Sequence, residues 1–113
     1  MDLATFETEM TKFIALIEKK DTKSYYATKK RFVVRLADFE ADIKQFKHTY
    51  SKDELFCAQL KVLNDLLKQL YEATAFVGEN ESIFRSDDLH KQLLGKMPWI
   101  RQAMSTIHTM LNK

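Results

Sequence analysis

The side chains able to do chemistry are few and far apart in this chain. Its three histidines, His48, His90 and His108, stand singly along the sequence. A di-metal carboxylate bundle needs inward glutamates and two Glu-x-x-His pairs, and no Glu-x-x-His is present. The nearest approach is Asp87-Asp88-Leu89-His90. It reads as the acidic first turn of a helix, where carboxylates complement the backbone dipole, and not as a ligand set. Cys57 has no second cysteine and no nearby histidine, so it reads as a small half-buried residue. Two glycines cannot build a phosphate-cradling loop. No Ser/His/Asp arrangement emerges from the order of residues. The expectation is a protein without catalytic residues, metal or cofactor.

Two family patterns bear on that expectation. In a histidine phosphotransfer domain, a helical bundle of similar length, a Lys and a Gly follow soon after the reactive His on an exposed face. Here the text is His90-Lys91-Gln92-Leu93-Leu94-Gly95, with the Lys adjacent and the Gly five on, so the pattern is absent. Arg101 and His108 have an Arg-x6-His spacing that resembles the motif of HEPN-type helical ribonucleases. Residues seven apart do share one side of a helix. The residue after the Arg is Gln102 and the flanks match no further, so the reading stays non-enzymatic.

Charge is the feature most able to carry function. Residues 19–35 hold Lys19, Lys20, Lys23, Lys29, Lys30, Arg31 and Arg35 against Asp21 alone, with Tyr25 and Tyr26 beside them. Cations interleaved with aromatics suit phosphate contacts and base stacking. At 100° per residue these cations do not form one stripe. Arg31 and Arg35 share a flank with Asp38 and Asp42, and Arg35 is expected to pair with Asp38. The favoured reading is therefore a solvated, internally paired face. The alternative is a nucleic-acid-associated subunit that touches the phosphate backbone through residues 19–35, helped by Lys91, Lys96 and Arg101 if the fold gathers them.

Most of the eight Phe and four Tyr fall on helix stripes. Tyr26, Trp99 and Phe76 do not fit them cleanly, and Trp99 stands close to Met97, Met104 and Met110. An exposed aromatic among flexible thioethers makes an adaptable binding surface. Tyr26, Trp99 and Met97 are thus the candidate partner-binding residues. The leading expectation is a small non-enzymatic helical protein that binds another protein, in an adaptor, inhibitor, immunity-type or chaperone-type role.

Four helices must position these residues. Leu3, Phe6, Met10, Phe13, Ile14 and Ile17 recur at three- and four-residue steps and predict a helix over about 2–20, with Asp2 as its cap. Tyr25, Lys29, Phe32, Leu36, Phe39, Ile43, Phe46 and Tyr50 alternate steps of four and three, with Lys29 the one polar member. They predict a long second helix over about 25–49 after a turn at 21–24. Ser51-Lys52-Asp53-Glu54 has capping-box spacing and opens a third helix, which runs to about Val77 with Gly78 as its C′ residue. Ile83 and Phe84 are expected to tuck back onto the core. Ser86-Asp87-Asp88 starts a last helix that Gly95 and Pro98 kink or split. Short connections favour consecutive helices as antiparallel neighbours. The expected fold is all-α: an up-down antiparallel four-helix bundle, with residues 1–113 forming one helical domain.

The chain of 113 residues has 45% hydrophobic and 30% charged residues and only one proline. That scarcity of breakers argues against collagen-like, low-complexity and hairpin-rich classes. No apolar run reaches the roughly 18–20 residues of a membrane span. Acidic residues stand near the N-terminus where a leader has basic ones. A cytoplasmic location is the expectation. The heptad regularity of the second helix also allows a homodimer, with part of that stripe packing on a second copy.

Overall fold

The computed structural model describes residues 3–49, 54–84 and 87–112, all-α, as five helical segments: α1 (Leu3–Glu18), α2 (Thr22–Thr49), α3 (Glu54–Glu79), α4 (Asp88–Gly95) and α5 (Met97–Leu111). The expected caps Asp2 and Ser51 lie outside the described residues, as do the side chains at 3, 43–50 and 54–56. No strand occurs among the described residues.

Apolar spacing explains each buried face. On α1, Phe6, Met10, Phe13, Ile14 and Ile17 are all buried. On α2 the seam Tyr25, Lys29, Phe32, Leu36 and Phe39 is buried throughout. Leu60, Leu63, Leu67, Leu70 and Val77 do the same on α3, and Ile100, Ala103, Ile107 and Met110 on α5. Ile83 and Phe84 do return to the core, Phe84 fully buried. A turn closed by the amides of Ile83 and Phe84 on the Asn80 carbonyl brings them there.

Helix directions follow from ordered pairs of residues. Phe6 stacks on Phe39 at 4.4 Å and Phe13 on Phe32 at 4.1 Å, so α1 and α2 run antiparallel. Tyr71 meets Arg101 and Gly78 meets Leu94, so α3 runs against α4 and α5. Lys29 meets Asp87 and Glu40 meets Lys96, so α2 runs alongside α4 in the same sense. The chain therefore alternates down and up, but consecutive helices are not all neighbours. Among the described residues α2 packs on α1 and on α4 and α5, and makes no close backbone approach to α3. The physical reason is that α1 aromatics fill one flank of the α2 seam while Asp87, Lys96 and Trp99 fill the other. No flank is left for α3, which sits across the bundle diagonal.

Three boundaries differ from the sequence expectation. Helix α1 stops in a left-handed residue, Lys20, at φ 55°. The Asp21 amide reaches the Leu16 carbonyl and the Lys20 amide the Ile17 carbonyl, the paired bonds of a Schellman motif with lysine where glycine is usual. Asp21 then caps α2, its Oδ1 accepting from the Ser24 amide at 3.2 Å, so α2 begins at Thr22 and not at Tyr25. Gly78 is not a C′ residue. It lies inside α3 without positive φ, and a Cβ there would stand 3.0 Å from Leu94 Cδ2. Its lack of a side chain lets α4 approach α3. The last helix is split at Lys96, whose own backbone stays helical at φ −81° and ψ −12°, with Pro98 in the first turn of α5. Gly95 likewise has no positive φ.

The cap at Lys20 yields a stability test. A β-carbon in the left-handed region costs roughly 1–2 kcal/mol. Lys20→Gly is therefore expected to stabilise the fold by roughly 0.5–1 kcal/mol, after the entropy that glycine adds to the unfolded chain. A urea-unfolding midpoint at or below that of the unaltered protein would count against this cap.

Candidate functional site

Helix α2 organises the chain's polar chemistry, and the seven cations assigned to one basic segment separate into four places around it. Lys29 leaves the set altogether. Its position in the seam buries it to 1% exposure. Its Nζ donates to both carboxylate oxygens of Asp87 at 2.9 Å and lies 5.0 Å from the Tyr26 ring centroid and 5.5 Å from that of Tyr25. A buried ammonium with two of its three donors on Asp87 is out of reach of a phosphate in solvent. The reading of Lys29 as a polyanion contact is thus corrected: the heptad period that placed it in the seam wins over its charge.

Asp87 joins three elements. Besides holding Lys29, its Oδ1 accepts from the His90 amide at 2.8 Å and caps α4. The Lys29 bond first, and the His90 amide second, hold its carboxyl below the usual carboxylate range. Tyr25 lies beside this pair, fully buried, its hydroxyl without a hydrogen-bond partner. Burial first, then the Asp87 charge, pushes its phenol far up. His90 is fully buried, with neither ring nitrogen hydrogen-bonded and Nε2 3.4 Å from Glu81 Oε1. A ring so enclosed offers no exposed nitrogen to a phosphoryl donor. Sequence inspection missed the Lys29–Asp87–His90 cluster because Lys29 and Asp87 are 58 residues apart. The usable signal was the lone lysine in an otherwise apolar seam.

Arg31 and Arg35 form the second place. Both pair with Glu9 of α1, Arg31 Nη2 at 2.9 Å and Arg35 Nε at 3.2 Å. The expected Arg35–Asp38 pair is replaced by this interhelical one, because α1 presents Glu9 directly over the same flank. Beside it runs a shallow hollow of about 180 Å³ between α1 and α2. Phe13, Leu16 and Phe32 form its floor, and Lys12, Thr28 and Arg31 stand on its rim with Glu9, the carboxylate that holds Arg31. The outward surface of α2 continues from there over Ala27, Lys30 and Val34, with Val34 55% exposed.

Lys19, Lys20 and Lys23 make the third place, exposed at the end of α1 and the start of α2. Lys30 is exposed on the outward surface. The cations of the last helix do not join them. Lys96 Nζ pairs with Glu40 at 3.0 Å, and Arg101 donates to the Tyr71 hydroxyl at 2.6 Å on the α3 side. His108 is exposed, with Nε2 3.1 Å from the Asn112 side-chain nitrogen. Arg101 is thus turned to Tyr71.

The three residues proposed from sequence for partner binding are not brought together either. Tyr26 is 37% exposed and donates to the Ile83 carbonyl at 3.4 Å. Trp99 is half-buried, edge-on to Phe39 at 5.7 Å, and Met97 is half-buried near it. Tyr26 and Phe39 are 13 residues apart on one helix, roughly 20 Å at 1.5 Å per residue. Trp99 serves the packing of α5 on α2. The described part of the α2 seam, Tyr25 to Phe39, is buried against α1, α4 and α5, while the side chains of its remaining members Ile43, Phe46 and Tyr50 lie outside the described residues. Among the described residues no group of three or more His, Cys, Asp or Glu could hold a metal ion, and no helix is long and apolar enough to cross a membrane.

The fold and these surfaces define the chain as an all-α helical bundle with a buried lysine–aspartate joint and a cation-rimmed groove between its first two helices. Comparison with protein-family models, with curated proteins and with solved structures finds no match.

Proposed function

We propose that this chain is a non-enzymatic helical module that works by binding another protein, and that the partner docks in the groove between α1 and α2. The observation that carries the reading is the groove's make-up: an apolar floor of Phe13, Leu16 and Phe32 under a rim bearing Lys12 and Arg31. That combination fits an amphipathic segment with apolar anchors and flanking carboxylates, the helix-in-groove mode of recognition. The dispersal of the cations favours protein over nucleic acid. Lys29 is buried, Arg35 is held by Glu9, and Lys19, Lys20 and Lys23 stand at one end of the bundle, away from Arg31. A backbone-binding site needs several unpaired cations along one track.

The test compares the unaltered protein with Lys12→Glu/Thr28→Glu, which adds carboxylates at two exposed rim positions. Both are used to capture binders from native lysate, with and without nuclease. The expected result is a specific protein that survives nuclease and moderate salt, and whose retention by the variant falls at least tenfold, a difference of about 1.4 kcal/mol. Equal retention by the variant would remove the groove from the account. Recovery of nucleic acid, with proteins lost on nuclease treatment, would transfer function to the exposed lysines.

A further inference from the structure

We propose that the outward face of α2 is the contact surface for a second copy of this chain, packed antiparallel across a two-fold axis. The face lies opposite the core seam. At 100° per residue Lys23, Ala27, Lys30, Val34 and Ala41 fall within about 60° of one another. All five are exposed. Val34, at the centre, is the most exposed large hydrophobic side chain among the described residues. Among the described residues no other helix reaches this face, because α1 and α4 pack on the two flanks of the opposite one. Ala27 and Ala41, seven residues either side of Val34, leave room for a second backbone to approach.

Charge selects the occupant and its direction. Arg31 and Asp38 stand on the same flank of this face, one before Val34 and one after it. A two-fold axis perpendicular to the helix keeps a flank on its own side and reverses the order along it. An antiparallel copy therefore sets Arg31 against the second copy's Asp38, and does so twice. A parallel copy, related by an axis along the helix, would turn its other flank toward Arg31 and Asp38 and lose this pairing. The face is thus complementary to itself. Arg31 can serve both contacts: Glu9 takes one bond at Nη2, and the side chain is still 71% exposed, leaving further guanidinium donors. The inference does not rest on the partner groove, whose Thr28 side stays open when the outward face is covered.

A single helix pair lies at the low end of specific interfaces, so the dissociation constant is expected at roughly 10–100 µM. Sedimentation equilibrium of the purified full chain tests it, over about 5–500 µM to bracket that range. The mass is expected to rise from one chain to two with concentration. Arg31→Asp and Asp38→Arg are each expected to stay at one-chain mass where the unaltered protein is dimeric. Their equimolar mixture is expected to regain the two-chain mass, because each flank then pairs opposite charges again. That regain also shows that both variants fold. A one-chain mass for the unaltered protein throughout would overturn the proposal. So would variants that lose the dimer and do not restore it on mixing. A heterologous protein lost from captures on Val34→Glu, with the unaltered chain monomeric, would give the face to an unrelated partner and overturn it as well.

Discussion

Asp87→Ala is expected to cost about 3–4 kcal/mol of folding stability, a large share of the 5–15 kcal/mol typical of a domain. Two losses combine. The Lys29 ammonium, 1% exposed, loses both carboxylate acceptors. Stranding a buried charge costs about 3–5 kcal/mol when no water reaches it. Asp87 itself is 40% exposed, so water can enter the space it vacates and the loss falls to about 2–3 kcal/mol. The α4 cap adds about 1 kcal/mol, since the His90 amide loses its acceptor. Asp87→Asn keeps a cap oxygen and removes the charge, and is expected to cost about 2 kcal/mol. Lys29→Met is the opposite case. It removes the buried charge with nearly the same shape, leaves Asp87 capping α4 with access to water, and is expected to change stability by less than about 1 kcal/mol. In the double variant Lys29→Met/Asp87→Ala most of the Asp87→Ala cost disappears. A coupling energy under about 0.5 kcal/mol in that cycle, by urea unfolding, would deny the pair its structural role.

The same pair gives the fold an acid-sensitive joint. The folded-state pKa of Asp87 is depressed from its ordinary 3.8. A depressed carboxyl contributes stability that is complete above the unfolded-state value and is lost as pH falls through the folded-state value. The stability gap between the unaltered protein and Asp87→Asn is therefore expected to be level at neutral pH and to shrink as pH drops below about 4. A gap that grew with acid would contradict the Lys29–Asp87 assignment.

How far the sequence spoke depends on the range of the interaction. Periods of three and four were enough to locate the buried faces of α1, α2, α3 and α5, because an apolar stripe is a local property. They also put Lys29 in a seam before any partner was known. Its charge pulled the other way, toward a surface patch, and both readings could not hold. The partner, Asp87, is brought near by the fold and by nothing in its neighbourhood. The end of α1 was illegible for another reason. A lysine in the left-handed region is adopted because the chain must turn within the three residues 19–21, and no residue type there announces it. The diagonal placement of α3 escaped because short loops constrain distance between helix ends but not which flank a helix has left to share. The groove of Phe13, Leu16 and Phe32 hid among core residues, for Phe13 and Phe32 belong to the buried stripes of α1 and α2 themselves.

Phe39→Ala carries the other large expected effect, about 3–5 kcal/mol. Phe39 is fully buried and joins three helices. Its ring stacks on Phe6 of α1 at 4.4 Å with planes 9° apart, and meets Trp99 of α5 edge-on at 5.7 Å. Truncation removes the transfer free energy of the ring and leaves a void lined from both sides, since neither neighbour stands on the same helix and each is fixed by its own packing. Phe39→Leu fills most of that volume and is expected to cost about 1–1.5 kcal/mol. Trp99 is the chain's one tryptophan and reports on the joint directly. Its emission is expected to move to longer wavelength in folded Phe39→Ala, because water reaches an indole edge that the phenyl ring now covers. Val34→Ala, on the exposed face of the same helix, is expected to shift the urea midpoint by less than about 0.5 kcal/mol and leave the emission unchanged. Equal destabilisation by the two substitutions would mean that α2 is not seated with Phe39 inward and Val34 outward, and the seam, the groove and the self-complementary face would all have to be redrawn.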